Sequence, residues 1–368
     1  MGKMINWQRI WDDDGSTIFY KFIKIIVTLP SYFYLLIINV RNWLYDHKIF
    51  KEAQLSCPVI SVGNITVGGT GKTPCVILLA KMLQENGFKP AVISRGYGGK
   101  NTNPVNIVSD GDKILLDARI AGDEPFLIAQ SLKNIPVLTG AKRIMTGKAA
   151  INQLGANVLI CDDAMQHRQI FRDINLVLLD ANTLQKNDYI LPRGRLREPL
   201  KELKRASAII LTRANEGKQK IGNTNKLTAY KNIPVFQSVH EPQGIIKGDY
   251  STQKPLSELR GKKVCAFCGI ANPDSFKNTL FAAGAQILFF DFFSDHHRYT
   301  KKELEQIRKN FMDSGGDFLI STEKDAARLK EFPEVLNIIY LLRISLNIIP
   351  SVDQFNKFIL ERLAARKN

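Results

Sequence analysis

One stretch of the chain has the residue types to hold a polyphosphate. Residues 59–74 read VISVGNITVGGTGKTP, an apolar run, then a glycine-rich turn, then Gly71-Lys72-Thr73 opening an amphipathic segment. Glycines let successive backbone N–H groups face one anion, and a helix N-terminus adds partial positive charge. Thr66, Val67, Gly68, Gly69, Thr70, Gly71, Lys72 and Thr73 would surround the phosphates of a nucleoside triphosphate. Lys72 would reach the β- and γ-phosphates, and the Thr73 hydroxyl could ligate Mg2+. The strict pattern G-x-x-x-x-G-K-[ST] has Thr66 in place of its first glycine, and Gly68 and Gly69 offset that loss. The plain alternative is a tight strand-to-helix turn with an incidental lysine. A strand before the loop and a helix after it argue against that.

A bound triphosphate brings a metal, which needs a carboxylate at the end of a neighbouring apolar strand. Val158-Leu-Ile-Cys-Asp162-Asp163 supplies two in succession. Their side chains leave an extended strand in opposite directions, so one faces the metal's water shell and the other orients a ligand or neighbour. Asp180, closing NLVLLD, is a competing strand-end acid; the doubled acid favours Asp162 and Asp163.

These groups need a scaffold. Apolar runs end at Val62, Ser94, Thr139, Cys161, Asp180 and Thr212, with helix-like stretches at 76–86, 124–132 and 145–154 between several of them. The alternation predicts an α/β fold, a P-loop NTPase-like doubly wound sheet with helices on both faces. Residues 213–232 are polar and rich in Asn, Lys and Gly, as in a linker or exposed excursion. A second strand–helix set follows, from VCAFCGI to DFLIST. The expected organisation is an apolar helical segment over 1–50, a phosphate-loop domain over 51–232, a smaller α/β domain over 233–350 and a closing helix over 351–368.

The N-terminus shows no signal-peptide pattern, since Asp12, Asp13 and Asp14 precede the apolar run. From Ile18 to Tyr45 the chain is aromatic and aliphatic, with Lys21, Lys24 and Arg41 at the flanks. The uncharged part, Ile25 to Val40, covers 16 residues. That is short of the roughly 20 needed to cross a bilayer as a helix, and Pro30 predicts a kink or break. Lysines beside Phe, Tyr and Trp fit a segment lying in a membrane interface. A helical hairpin on the core is the alternative, followed by a true span.

The 368 residues carry 51 Lys plus Arg against 35 Asp plus Glu, a formal net charge of +16. Length predicts two domains, each with its own core. With 45% apolar and 23% charged residues, a disordered chain, a collagen-like repeat and a multi-span membrane protein are excluded. The charge points to an anionic partner: nucleic acid, a membrane surface or a phosphorylated substrate. Five scattered cysteines predict a reducing compartment and no disulfide framework. Cys265 and Cys268 read as buried strand residues rather than a redox pair or half a zinc site.

Seven motifs occur in one order: GNITVGGTGKTP, SRGYGG at 94–99, GDEP at 122–125, DDAMQH at 162–167, LPRGRLREP at 191–199, DHH at 295–297 and STEKD at 321–325. Over nearly the whole chain this series resembles the tetraacyldisaccharide 4′-kinase family of Gram-negative bacteria. Two departures stand out: Ala164 and Met165 where the family has DDGFQH, and Arg195 where it has the proline of GPLREP. The resemblance implies transfer of the γ-phosphate of ATP, with Mg2+, to the 4′-hydroxyl of a tetraacylated disaccharide 1-phosphate in lipid A biosynthesis. It also implies a place at the cytoplasmic face of the inner membrane. Asp123 of GDEP becomes the general base, His296 its partner, and Glu198 joins Thr73, Asp162 and Asp163 around the metal.

On residues alone Asp123 reads equally well as a helix-capping acid, and His297 could do the work of His296. Asp123 and His296 fall in different expected domains, so the pair predicts domain closure. Arg95, Arg143, His167 and Arg197 are the expected phosphate or substrate contacts, set in strand-end loops with Arg193. The rival reading, a GTPase or ATPase switch, would need N-K-x-D. STEKD has Lys324 directly before Asp325, and reads as a helix N-terminus with capping acids. No nucleic-acid partner is expected, since no helix-turn-helix, zinc-finger or aromatic RNP signature appears.

Overall fold

The structure is a computed structural model that describes residues 10–11, 18–100, 103–181, 189–213, 227 and 229–366. Most of the polar 213–232 excursion lies outside them. The first half of the chain runs α1 (Ile18–Asp46), β1 (Val59–Asn64), α2 (Lys72–Glu85), β2 (Pro90–Ser94), β3 (Asn106–Ser109), α3 (Asp123–Ser131), β4 (Val137–Thr139) and α4 (Arg143–Leu154). Then come β5 (Val158–Asp162), β6 (Ile174–Asp180), β7 (Ala208–Thr212), β8 (Val235–Lys247), β9 (Gln253–Lys254) and β10 (Lys263–Cys268). The chain closes with α5 (Pro273–Ala282), β11 (Gln286–Phe292), α6 (Lys301–Ser314), β12 (Phe318–Thr322), α7 (Glu323–Leu329), β13 (Ile339–Ile349) and α8 (Val352–Ala364). The expected strand–helix alternation is present.

Two compact units form. One comprises the described residues up to Lys72 with Ala156–Val239 and Ile348 onward; the other comprises Thr73–Gly155 and His240–Asn347. In the first, β8, β7, β6, β1 and β5 lie side by side, all parallel. β1, β5, β6 and β7 are buried along their whole length, which is why they read as continuous apolar runs rather than alternating ones. Met165, Val177, Leu179, Ile209 and Leu211 form a core on which Tyr34 and Leu35 of α1 pack.

α1 has two unlike faces. Val27, Ser31, Ile38 and Asn42 are buried at helical spacing. Along that face Ser31 Oγ accepts from Arg193 N (3.0 Å), Tyr34 OH donates to Arg197 O (3.2 Å), and Arg168 bonds both Asn42 O (3.3 Å) and Asp46 (2.7 Å). The other face exposes Phe22, Ile25, Ile26, Leu29, Phe33, Leu36, Ile37 and Val40. The expected break at Pro30 does not occur, and the helix runs unbroken through 29 residues. Two things explain this. The chain after Pro30 is pinned by the contacts just named, and Ile26, whose carbonyl lacks the proline's N–H, lies on the exposed side. By length and composition α1 could cross a membrane.

In the second unit β2 and β4 are parallel, with β3 antiparallel at their edge. β11, β10, β12, β13 and the distal part of β8 lie in that order, the first four parallel. Cys265, Phe267, Tyr299, Leu319 and Leu341 form part of its core. Thr322 caps α7, its hydroxyl accepting from Asp325 N (3.2 Å), so STEKD is a helix start as expected. α3 packs on α7. Stretches 73–155 and 240–347 therefore share one unit, although the sequence pattern places them in different domains.

All five cysteines are free and buried. Burial pushes the Cys57 thiol up to about 11 and Cys268 up to about 12, far from the thiolate form that reacts. A chromogenic disulfide reagent at pH 8 should therefore label none of them promptly in the native protein and all five in denaturant. Rapid native labelling of Cys265 or Cys268 would contradict the burial described.

Candidate active site

The phosphate loop spans 65–71, between β1 and α2. Gly63 precedes it against Met165: a Cβ there would lie 2.7 Å from both the Cβ and the backbone nitrogen of Met165. Only glycine lets the 162–165 turn close over β1. Val67 N donates to Arg195 O (2.8 Å) and Arg197 N donates to Ile65 O (2.7 Å), so 195–197 braces the loop. The brace uses only the carbonyl of residue 195, which a proline would also supply. The second departure from the family pattern thus leaves the loop intact, and the first is buried, Ala164 and Met165 being fully enclosed.

Inside the loop, Asn64 Nδ2 donates to Thr70 Oγ1 (3.0 Å) and Arg213 Nη2 donates to Gly69 O (2.9 Å). Arg213 also pairs with Asp180, which occupies the competing acid. Gly68 and Gly71 take φ of 112° and 83°, and a side chain on Gly68 would meet nothing within 4 Å. Thr66 Oγ1 is buried with no hydrogen-bond partner among the described residues. An open backbone cradle, a spare hydroxyl and a lysine at a helix start fit a triphosphate.

Asp162 closes β5 directly across from Val62, 1% exposed. Asp163 follows in a left-handed conformation, φ 49°. Its Oδ1 lies 3.5 Å from Lys72 Nζ, and Arg197 Nη1 donates to both its oxygens at 3.1 and 2.9 Å. Burial raises the Asp163 carboxyl, but Lys72 and Arg197 outweigh it and hold it below the usual carboxylate range. Asp163 therefore holds Lys72 and Arg197 together beside the loop. Asp162 and Thr73, a buried residue in the first turn of α2, have the hard oxygens that Mg2+ requires. Glu198 is fully buried, with Oε1 2.5 Å from Arg41 and Oε2 paired with Arg205, so both oxygens are engaged by arginines in this structure.

In the second unit, Asp123 is the first residue of α3, and the cap position is Gly122, φ 92°. A Cβ at Gly122 would stand 2.6 Å from Tyr97 O. Asp123 is thus not the cap. Its Oδ2 lies 3.5 Å from His296 Nδ1 and 2.9 Å from Arg328 Nε. Burial raises the Asp123 carboxyl, but the His296 hydrogen bond and the charges of Arg328, His296 and Arg298 bring it below the ordinary range. The bond to Asp123 raises His296, against the effect of burial. His297 is engaged elsewhere, stacked on Phe293 and 3.1 Å from Glu303. The expected closure is not needed: Asp123 and His296 already meet within one unit because α3 packs on α7.

The softer expectations divide. Arg197 stands at the phosphate loop and Arg95 is exposed after β2. Arg143 is buried and donates to Gly140 O (2.8 Å), bracing its own turn, so it is not an open contact as expected. His167 lies in the 162–167 turn, its N–H bonded to Ala164 O (3.1 Å). Arg328 went unrecognised in the sequence. Its one local signal is Asp325 three residues earlier on a capped helix.

The sequence profile described as tetraacyldisaccharide-1-P 4′-kinase matches residues 23–364. The chain belongs to this family. It is 41% identical over 365 residues to the tetraacyldisaccharide 4′-kinase of Syntrophus aciditrophicus, covering 97% of both chains. It is also 41% identical over 300 residues to that of Desulfotalea psychrophila, covering 80% of this chain and 85% of the other. Among solved structures, LpxK from Aquifex aeolicus in complex with ATP superposes with a TM-score of 0.76 at 31% identity, covering 93% of this chain and 99% of that one. The fold is the α/β, P-loop NTPase-like fold of the 4′-kinases.

Lys72→Ala should lower phosphate transfer from radiolabelled ATP by about a thousandfold while the protein stays folded. Turnover near that of the wild type would remove the phosphate loop from the chemistry. A second expectation concerns acid stability. Because the folded Asp163 carboxyl is depressed, its contribution is complete above the unfolded value of about 4 and is lost as pH falls through the lower folded value. Asp163→Asn should flatten that part of a denaturation-versus-pH curve below about pH 4.

Proposed function

We infer that this chain is a tetraacyldisaccharide 4′-kinase, transferring the γ-phosphate of ATP to the 4′-hydroxyl of a tetraacyl-disaccharide 1-phosphate in lipid A biosynthesis. The single observation that carries this is the family match over residues 23–364 with the phosphate loop intact. In this reading the loop 66–73 holds the triphosphate. Lys72 and Arg197 exchange Asp163 for phosphate oxygens. Asp162 and Thr73 hold Mg2+, which neutralises charge on the transferring phosphoryl group. Asp123 accepts the proton of the 4′-hydroxyl, and His296 orients it. Arg95 and His167 are candidates for the acceptor's polar head; Arg143 supports its turn from within.

An acceptor with four acyl chains resides in a bilayer, and α1 offers an apolar face that the described residues leave uncovered. The net charge of +16 suits an anionic surface. We therefore place the enzyme at the cytoplasmic face of the inner membrane, held there by α1.

The deciding experiment is a radiolabelled-phosphate transfer assay comparing the acylated disaccharide 1-phosphate with other sugar and lipid acceptors. Labelling of that acceptor alone is expected, and ATP hydrolysis without any labelled lipid would defeat the assignment. Replacing Phe22, Ile26 and Phe33 by Ser should lower sedimentation with anionic liposomes several-fold. Equal sedimentation would mean that α1 does not hold the membrane.

A further inference from the structure

We propose that Arg328 is a positioning residue that determines which oxygen of Asp123 receives the acceptor's proton; the proposal rests on Asp123 being the base. The Arg328 side chain is 3% exposed and lies between two carboxylates, Nε 2.9 Å from Asp123 Oδ2 and Nη1 3.2 Å from Asp325 Oδ1. Nη1 also donates to Gly269 O (2.9 Å) and His297 O (3.3 Å). Asp325 is itself immobile. It is fully buried and accepts from Gly269 N (3.0 Å), Tyr299 OH (2.9 Å) and Thr322 Oγ1 (2.6 Å). A planar guanidinium gripped by two carbonyls and a fixed carboxylate has one orientation. The Nε it presents to Asp123 is therefore fixed as well. Arg328 Nε and Nη2 are both buried with no hydrogen-bond partner among the described residues, so Nε meets Asp123 Oδ2 as a close ion pair and the carboxylates are what face the guanidinium charge.

His296 Nδ1 approaches the same oxygen, Oδ2, at 3.5 Å. With Arg328 Nε and His296 Nδ1 both on Oδ2, Oδ1 is the oxygen left for the acceptor. As the 4′-oxygen attacks the γ-phosphorus, the bond from phosphorus to ADP breaks and the hydroxyl proton passes to Oδ1. Other charges set the balance around the pair. Asp123 faces His296, Arg298 and Arg328, and His296 faces Asp123, Asp295, Lys324 and Arg328. Lys324 is held by Glu124 at 3.4 Å. Arg328 works against protonation of His296, so losing its charge should raise the His296 pKa further.

The test uses the full chain with Arg328→Lys, Arg328→Gln and Asp123→Asn, reading kcat, both KM values and the His296 imidazole titration by NMR. The lysine variant keeps the charge and loses the fork. Its kcat should fall at least about tenfold with both KM values within about twofold, and His296 should titrate as in the wild type. The glutamine variant should lose similar turnover and move the His296 titration to higher pH than in the wild type. A lysine variant turning over within about twofold of the wild type overturns the proposal, whether or not the glutamine variant folds. So does an unmoved His296 titration in a folded glutamine variant. Asp123→Asn separates the two readings. If it turns over normally, the base is misassigned; if it is inactive beside a normal lysine variant, only the role of Arg328 fails.

Discussion

The first unit depends on the parallel register of β1 and β5. Val62 stands opposite Asp162, so the strand feeding the phosphate loop and the strand bearing the acids end together. That alignment brings Lys72 within 3.5 Å of Asp163. It also requires Gly63, since any side chain there would strike Met165. Register, glycine and ion pair are thus one constraint. A slip along the strand would misplace the acids, and a larger residue at 63 would lift the turn that carries them.

Charge is arranged around buried or half-buried carboxylates in both units. Asp163 holds Lys72 and Arg197, Glu198 holds Arg41 and Arg205, and Asp325 with Asp123 holds Arg328. The basic excess of the sequence is therefore partly internal. Arg328 and Arg205 are occupied within the fold. Around the fully buried Glu198 and Asp325, removing a partner leaves charge buried and less compensated, which costs more than the pair contributes.

Local features were legible in the sequence. The glycine-rich loop, the strand-end acids and the capped start of α7 each depend on residues within a few positions of one another. Distant partnerships were not. Asp123 and His296 are 173 positions apart, and only the family resemblance joined them. The resemblance supplied the pair but not its location, because nothing local reveals that α3 packs on α7. Pro30 misled for the same reason: its local preference for a break is overridden by contacts from residues 168, 193 and 197. The pairing of Glu198 with Arg41, 157 positions earlier, was likewise not legible locally.

Glu198 links two parts of the first unit. It sits one residue after Arg197, in the segment that braces the phosphate loop, and it is tied to Arg41 on α1. Separating the two would leave Oε1 of a fully buried carboxylate unpaired, with only Arg205 remaining on Oε2. Through that ion pair and the neighbouring backbone bonds, α1 is joined by a chain of a few residues to the backbone at Ile65 and Val67.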